Sequence, residues 1–202
     1  YGKTMIIFTS DNGGANYIEL EDINKPFRGW KISFFEGGIR VPFIVSWPDK
    51  ISPGLTSNSA VHHFDIFPTI VSATKTTTSN KKELDGVNLL PYIKKENSDE
   101  PHETLFWRSG NHQSVLHKKW KYIVSKKENK SWLFDTSVDP LEKNNLIESH
   151  PKEAQKIEEL LVQFNSEQKE PLFPSAFEAP IMIDKYDGQA YEEGDEYIYW
   201  SN

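Results

Sequence analysis

The run Thr4-Met5-Ile6-Ile7-Phe8-Thr9 constrains this chain more than any other feature. It is short and almost wholly apolar, and it closes on Ser10-Asp11-Asn12-Gly13-Gly14. That pattern predicts a strand buried on both faces, as in a parallel sheet. Val41-Pro42-Phe43-Ile44-Val45-Ser46-Trp47, closed by Pro48, is a second such run. The connection between them carries Gly29, Gly37 and Gly38, and its length suits a crossover or a long functional loop, not a hairpin. A doubly buried strand needs neighbours at both edges and cover on both faces. The remaining sequence offers one comparable strand, so the expectation is the C-terminal part of a larger protein whose sheet is completed by polypeptide outside this chain.

Further along, Ile66-Phe67-Pro68-Thr69-Ile70-Val71-Ser72-Ala73 predicts a helix with Asp65 as N-cap and Pro68 tolerated in the first turn. Residues 74–83 are a polar loop, and Leu89, Leu90 and Ile93 return to the core. Around residue 98 the texture changes. Residues 104–107, 114–117, 120–124 and 132–134 are closely spaced short strands, which predict an antiparallel sheet with one wet face. Trp120 and Trp132 stand at core positions of that pattern. Residues 152–164 follow as a helix whose stripe is Ala154, Ile157, Leu160, Leu161 and Phe164. The tail from Pro171 mixes prolines, acids and aromatics, with Glu192, Glu193, Asp195 and Glu196 read as a solvated face and the aromatics as packing residues. The domain reading is therefore 1–97, 98–170 and an acidic aromatic tail, 171–202.

Composition excludes several functions. With 23 Lys+Arg against 30 Asp+Glu the net charge is −7, which argues against a nucleic-acid partner held by counterion release. The absence of Cys removes disulfides, thiolate metal sites and a cysteine nucleophile from these residues. No run approaches the ~20 apolar residues that span a bilayer. A mean hydropathy of −0.62 is polar, yet 6 Trp, 8 Tyr and 12 Phe are too many for a disordered chain.

Asp11-Asn12-Gly13 falls at the C-terminal end of the first strand, the end that faces the ligand crevice in open α/β sheets. A carboxylate beside an amide carbonyl offers two hard oxygens, suited to Ca2+ or Mg2+; taken alone, the same residues read first as a turn. Lys31, in a glycine-bearing loop, offers a point charge to an anion or simply a solvated ammonium. Glu36 and Arg40 read as an ion pair bracing that loop. His62-His63 lacks a third metal ligand at a clear spacing and reads as structural.

Together the pieces are specific. Ser10-Asp11-Asn12-Gly13, then Arg28-Gly29-Trp30-Lys31, then Glu36-Gly37-Gly38-Ile39-Arg40-Val41-Pro42-Phe43 resemble the type I sulfatase family of the alkaline phosphatase-like superfamily. Asp65-Ile66-Phe67-Pro68-Thr69, Leu84-Asp85-Gly86-Val87-Asn88, Trp120-Lys121-Tyr122-Ile123 and Asp139-Pro140-Leu141-Glu142 with Asn145-Leu146 extend the resemblance in order, over about residues 4–165. The resemblance implies an α/β fold: the C-terminal part of a mostly parallel catalytic domain, then a small α+β domain with an antiparallel sheet and one helix. It implies Asp11 and Asn12 as ligands of a calcium ion (magnesium as the substitute), Lys31 as the catalytic contact to the sulfate ester, and Arg108 and His112 near the organic part of the substrate. It implies hydrolysis of a sulfate ester, a sulfated small molecule or glycan as partner, and a periplasmic or secreted location. The family's nucleophile is a formylglycine made from Cys or Ser in a Cys/Ser-x-Pro-x-Arg motif. That motif does not occur in these residues; it and the remaining metal ligands are expected upstream, and this fragment alone is expected to be inactive. Two readings stand beside this one: a phosphoester or phosphonate hydrolase of the same superfamily, and a carbohydrate-binding module using exposed aromatics.

Overall fold

A computed structural model describes residues 1–77, 83–170, 172–173 and 176–201. The polar loop read at 74–83 lies partly outside the described residues, as do Pro171 and Pro174 of the tail. The chain forms two compact units, one of residues 1–8 with 43–103, the other of residues 9–42 with 104–202.

In the first unit, β1 (Ile6–Thr9) and β2 (Phe43–Ser46) pair in a two-stranded sheet. Both strands fall where the apolar runs predict them, but they are not buried on both faces: Ile6 is 45%, Phe8 61% and Ile44 58% exposed. Two strands cannot enclose themselves. After β2, α2 (Ile66–Thr74) follows a tight 3-10 turn, His63–Asp65. Asp65 does not cap α2 directly. It is the third residue of a capping box in which His62 accepts from the Phe64 N–H and Asp65 accepts from the His62 N–H at 2.7 Å. Asp65 is fully buried and also receives the Val87 N–H at 2.8 Å and His102 Nε2 at 2.9 Å. The two histidines of 62–63 thus begin a helix, as the structural reading expects. Leu89 and Leu90, at the start of α3 (Leu90–Ile93), are buried, and the Leu89 N–H is held by the Thr69 hydroxyl.

In the second unit, α1 (Glu36–Ile39) is a single turn within the long connection. The rest is built on a meander of β3 (Thr104–Ser109), β4 (His112–His117), β5 (Trp120–Ser125) and β6 (Lys130–Asp135), all antiparallel and paired in sequence order. The register sets Val115, Tyr122 and Leu133 side by side on one face. α4 (Pro151–Glu167) lays Ala154, Ile157 and Leu161 against that face, so the predicted stripe is the packed one. The expected wet face does not exist. Ser114, Ile123 and Trp132 align on the opposite face, with Lys121 and Phe134 beside them. That face is covered by Phe35 and by Ile183 and Ile198 of a C-terminal hairpin, β7 (Glu178–Met182) with β8 (Tyr197–Ser201). Alternation alone cannot reveal this, because both faces of the strands are largely apolar and the covering residues come from positions far apart in the chain.

Trp132 is 1% exposed and meets the Phe35 ring edge-on at 5.4 Å. Trp132→Ala is expected to cost about 3–5 kcal/mol of stability through the cavity it leaves. Val162→Asp, at a 64% exposed position of α4, is expected to change stability by less than ~0.5 kcal/mol. Urea denaturation of both variants checks the contrast.

Candidate functional site

The sequence-predicted site residues Asp11, Asn12 and Lys31 lie on two of three backbone segments of the second unit that meet through main-chain hydrogen bonds. The Gly13 N–H donates to the Gly38 carbonyl at 2.9 Å, the Lys31 N–H to the Gly14 carbonyl at 2.8 Å, and the Gly37 N–H to the Arg28 carbonyl at 2.6 Å. Asn24 closes the remaining gaps: its side chain accepts from the Gly14 N–H and donates to the Gly14 and Gly29 carbonyls. The glycines make this possible. A Cβ on Gly13 would stand 1.7 Å from the Gly37 carbonyl oxygen, and one on Gly37 would stand 2.3 Å from the Gly29 oxygen. The motif residues Asn12-Gly13, Arg28-Gly29 and Glu36-Gly37-Gly38 are therefore one knot, and the knot brings the Asp11-Asn12 segment to the Lys31 loop.

Lys31 is the second residue of a turn closed by the Ser33 N–H on the Trp30 carbonyl at 3.0 Å, with the Ser33 hydroxyl donating to the same carbonyl at 2.8 Å. The third residue, Ile32, holds φ at +87°. A β-branched residue in that region is strained by roughly 1–3 kcal/mol and persists only where its surroundings over-determine it. Among the described residues no carboxylate pairs with the Lys31 ammonium. Asp11 is exposed, and among the described residues its carboxylate accepts only the Asn12 N–H, at 3.0 Å. Asn12 commits its amide nitrogen to the Gly13 carbonyl, which leaves its oxygen for another partner. A carboxylate and an amide oxygen fit a hard divalent cation in kind but supply only two of the six to eight oxygens calcium takes. No cluster of three or more His, Cys, Asp or Glu able to hold a metal occurs among the described residues.

What fixes the Lys31 loop is the covered face of the meander. His112 Nε2 accepts the Phe34 N–H at 3.2 Å, and its ring stacks on Phe34 at 4.9 Å. Phe35 enters the aromatic cluster. The Glu36 N–H donates to Glu142 Oε2 at 2.6 Å, and the Lys121 ammonium lies 2.6 Å from Glu36 and 2.8 Å from Glu142. Lys121 and Glu142 are fully buried. Burial opposes the charge on Lys121, but Glu142 and Glu36 hold its pKa above the ordinary lysine value. Burial likewise opposes the charge on Glu36, but the Lys121 and Arg40 cations keep its pKa below the ordinary range. Glu142 is pushed up by burial, with Lys121 opposing. The Glu36–Arg40 pair is present at 3.3 Å, as the sequence reading has it, and it is the outer edge of this larger buried group.

His112, expected near the organic part of the substrate, is not at the surface: it is 2% exposed and supports the backbone at Phe34. Its neighbour Arg108 donates to Asn165 and to the Lys169 carbonyl, fastening the end of α4. The acidic run is not a uniform solvated face either: Glu196 receives Arg28 and, at 2.9 Å, Trp132 Nε1, while Lys185 pairs with Glu192 and Asp195. Lys121 and Glu142 escaped the sequence reading as functional supports. The available signal was a lysine inside a core strand and a glutamate after Asp139-Pro140, and their partnership depends on folding.

The family described as N-sulphoglucosamine sulphohydrolase, C-terminal, matches residues 29–170. The chain belongs to the sulfatase family. It is similar to an N-acetylgalactosamine-6-O-sulfatase of Bacteroides thetaiotaomicron, 28% identical in an alignment that covers 79% of this chain and 36% of that protein. It is also similar to a steryl-sulfatase of Rattus norvegicus, 29% identical in an alignment that covers 73% of this chain and 26% of that one. Among solved structures, that of Ps i-CgsB in complex with k-i-k-neocarrahexaose matches with a TM-score of 0.73 over 86% of this chain and 39% of that one; at 24% identity it speaks to the fold alone. The α/β expectation for the C-terminal part of a sulfatase therefore holds, and this sulfatase chain spans about a third of those relatives or less.

Two outcomes follow from the buried groups. Lys121→Met is expected to cost about 3–5 kcal/mol in chemical denaturation, because it leaves two carboxylates facing each other without a cation. Burial, with Lys121 adding to it, lowers the His112 pKa from 6.5 to about 3. Between those values the unfolded chain takes up a proton that the folded one refuses, so stability is lost as pH falls from 6.5 towards about 3. His112→Gln is expected to flatten that part of the curve, read as the difference in urea midpoint between neutral and mildly acidic buffer.

Proposed function

We propose that this chain forms the C-terminal part of a sulfatase that hydrolyses a sulfate ester, releasing sulfate and an alcohol or phenol. The observation that carries the reading is the glycine knot, which holds the Lys31 loop against the Asp11-Asn12 segment, with no carboxylate on the Lys31 ammonium among the described residues. Lys31 holds a sulfate oxygen and, as a donor, eases departure of the ester oxygen, where negative charge grows as the S–O bond breaks. Asp11 and Asn12 would hold a calcium ion, with magnesium as the alternative. Bound there, such an ion supplies positive charge to the sulfate oxygens. The attacking group we assign to a formylglycine outside these residues. The exposed apolar side chains of β1 and β2 support the same picture, as a sheet to be completed by the N-terminal part of the catalytic domain.

A carbohydrate sulfate is the substrate class we favour. One relative is named for N-acetylgalactosamine-6-O-sulfate chemistry, and one structural neighbour was solved with a neocarrahexaose. By family habit we place the enzyme in the periplasm or outside the cell; among the described residues no helix is long and apolar enough to cross a membrane.

In the intact enzyme, Lys31→Ala is expected to lower kcat/KM on a sulfate ester by about 10²–10³-fold while leaving the circular dichroism spectrum unchanged. Unaltered turnover would remove Lys31 from the mechanism. Asp11→Ala is expected to weaken calcium binding in titration calorimetry, which reads the metal site independently of turnover.

A further inference from the structure

We propose that the C-terminal hairpin acts through Asp184 and Glu196 as a positioning clamp on the loop that carries Lys31. Its catalytic consequence rests on the sulfatase reading; its geometry does not. The hairpin lies beyond residue 170, outside the part of the chain that matches the family. Just after β7, the Ile183 N–H donates to the Glu196 carbonyl at 2.9 Å, which brings Asp184 and Glu196 together at the loop end of the hairpin.

There they share one guanidinium. Arg28 donates Nε to Asp184 Oδ1 at 2.8 Å and Nη2 to Asp184 Oδ2 at 2.8 Å, the planar fork that fits a carboxylate. The same Nη2 reaches Glu196 Oε2, whose other oxygen takes Trp132 Nε1. Nη1 points to the Glu142 carbonyl at 3.4 Å, and the guanidinium carbon lies 5.0 Å from the centre of the Phe35 ring. Arg28 is thus held on every side, and its own carbonyl carries the Gly37 N–H. Lys31 follows three residues later.

The hairpin turn grips the other segment of the site as well. Asp187 accepts Asn16 Nδ2 at 2.6 Å and returns its own N–H to the Asn16 carbonyl at 3.2 Å. A clamp that holds residues 16 and 28 restrains two of the segments that meet in the knot. A hairpin that merely capped the Phe35 cluster would need Ile183 and Ile198, not two carboxylates on one arginine.

The test is the intact enzyme with Asp184→Asn and Glu196→Gln together, which keeps the apolar cover, beside Asp184→Glu as the conservative variant. The double variant is expected to speed amide exchange about tenfold in peptides spanning 27–38 while β3 to β6 stay protected, and to raise KM for a sulfate ester about tenfold with kcat changed much less. Asp184→Glu is expected to retain most of both properties. Wild-type exchange in the 27–38 peptides of the double variant overturns the clamp, and so does faster exchange spread evenly through β3 to β6. If the wild-type enzyme cleaves no sulfate ester, the function proposed above fails, and the exchange measurement alone decides the clamp.

Discussion

One buried ammonium shared by two carboxylates, one fully buried and one nearly so, is the contact on which the second unit depends. Lys121 comes from the centre of the meander, Glu36 from the loop that follows Lys31, and Glu142 from the turn after β6. Desolvating three charged groups is costly, and such a group persists where it fixes which segments meet and in what register. Here it decides where Glu36 sits. With Phe34 held by His112 and Phe35 held by aromatic rings, three consecutive residues are each anchored by a different kind of force. A loop fixed that way has little freedom left in the residues on either side.

The glycine knot converts that anchoring into a site. Because Gly37 and Gly38 follow Glu36 directly, the buried group also sets the carbonyls and amides that receive Gly13 and Arg28. Position is thus passed from a buried charge to an exposed carboxylate through backbone alone, without a relay of flexible side chains. The strained Ile32 fits this account: its backbone is held against preference between two sets of fixed bonds, and the turn it completes presents Lys31.

Much of this was legible in the sequence. The strands at β1 and β2, the α4 stripe and the meander all follow from residue periodicity, and the proposed site residues Asp11, Asn12 and Lys31 come from motif order. What stayed hidden depends on which distant segments meet. Lys121 reads as an ordinary strand lysine until Glu36 and Glu142 are beside it. His112, at the edge of a strand, reads as accessible until Phe34 stacks on it. Glu196 looks like solvent-facing charge because its partner, Arg28, lies more than a hundred residues earlier. The wet face predicted for the meander failed for the same reason, since its cover comes from both ends of the second unit.

The pairing order of the meander has a consequence for how the molecule is assembled. Each of its strands bonds only to its neighbour in sequence, so its loops are short and its closure entropy small, features of a part that forms quickly. The loop bearing Lys31 is synthesised well before that meander, yet His112, Lys121 and Glu142 all come after it. On the ribosome the loop must therefore wait, unplaced, until the later strands have emerged and folded, and only then can it settle. A chain cut short before residue 104 would carry Asp11, Asn12 and Lys31 and still lack the surface that arranges the segments bearing them.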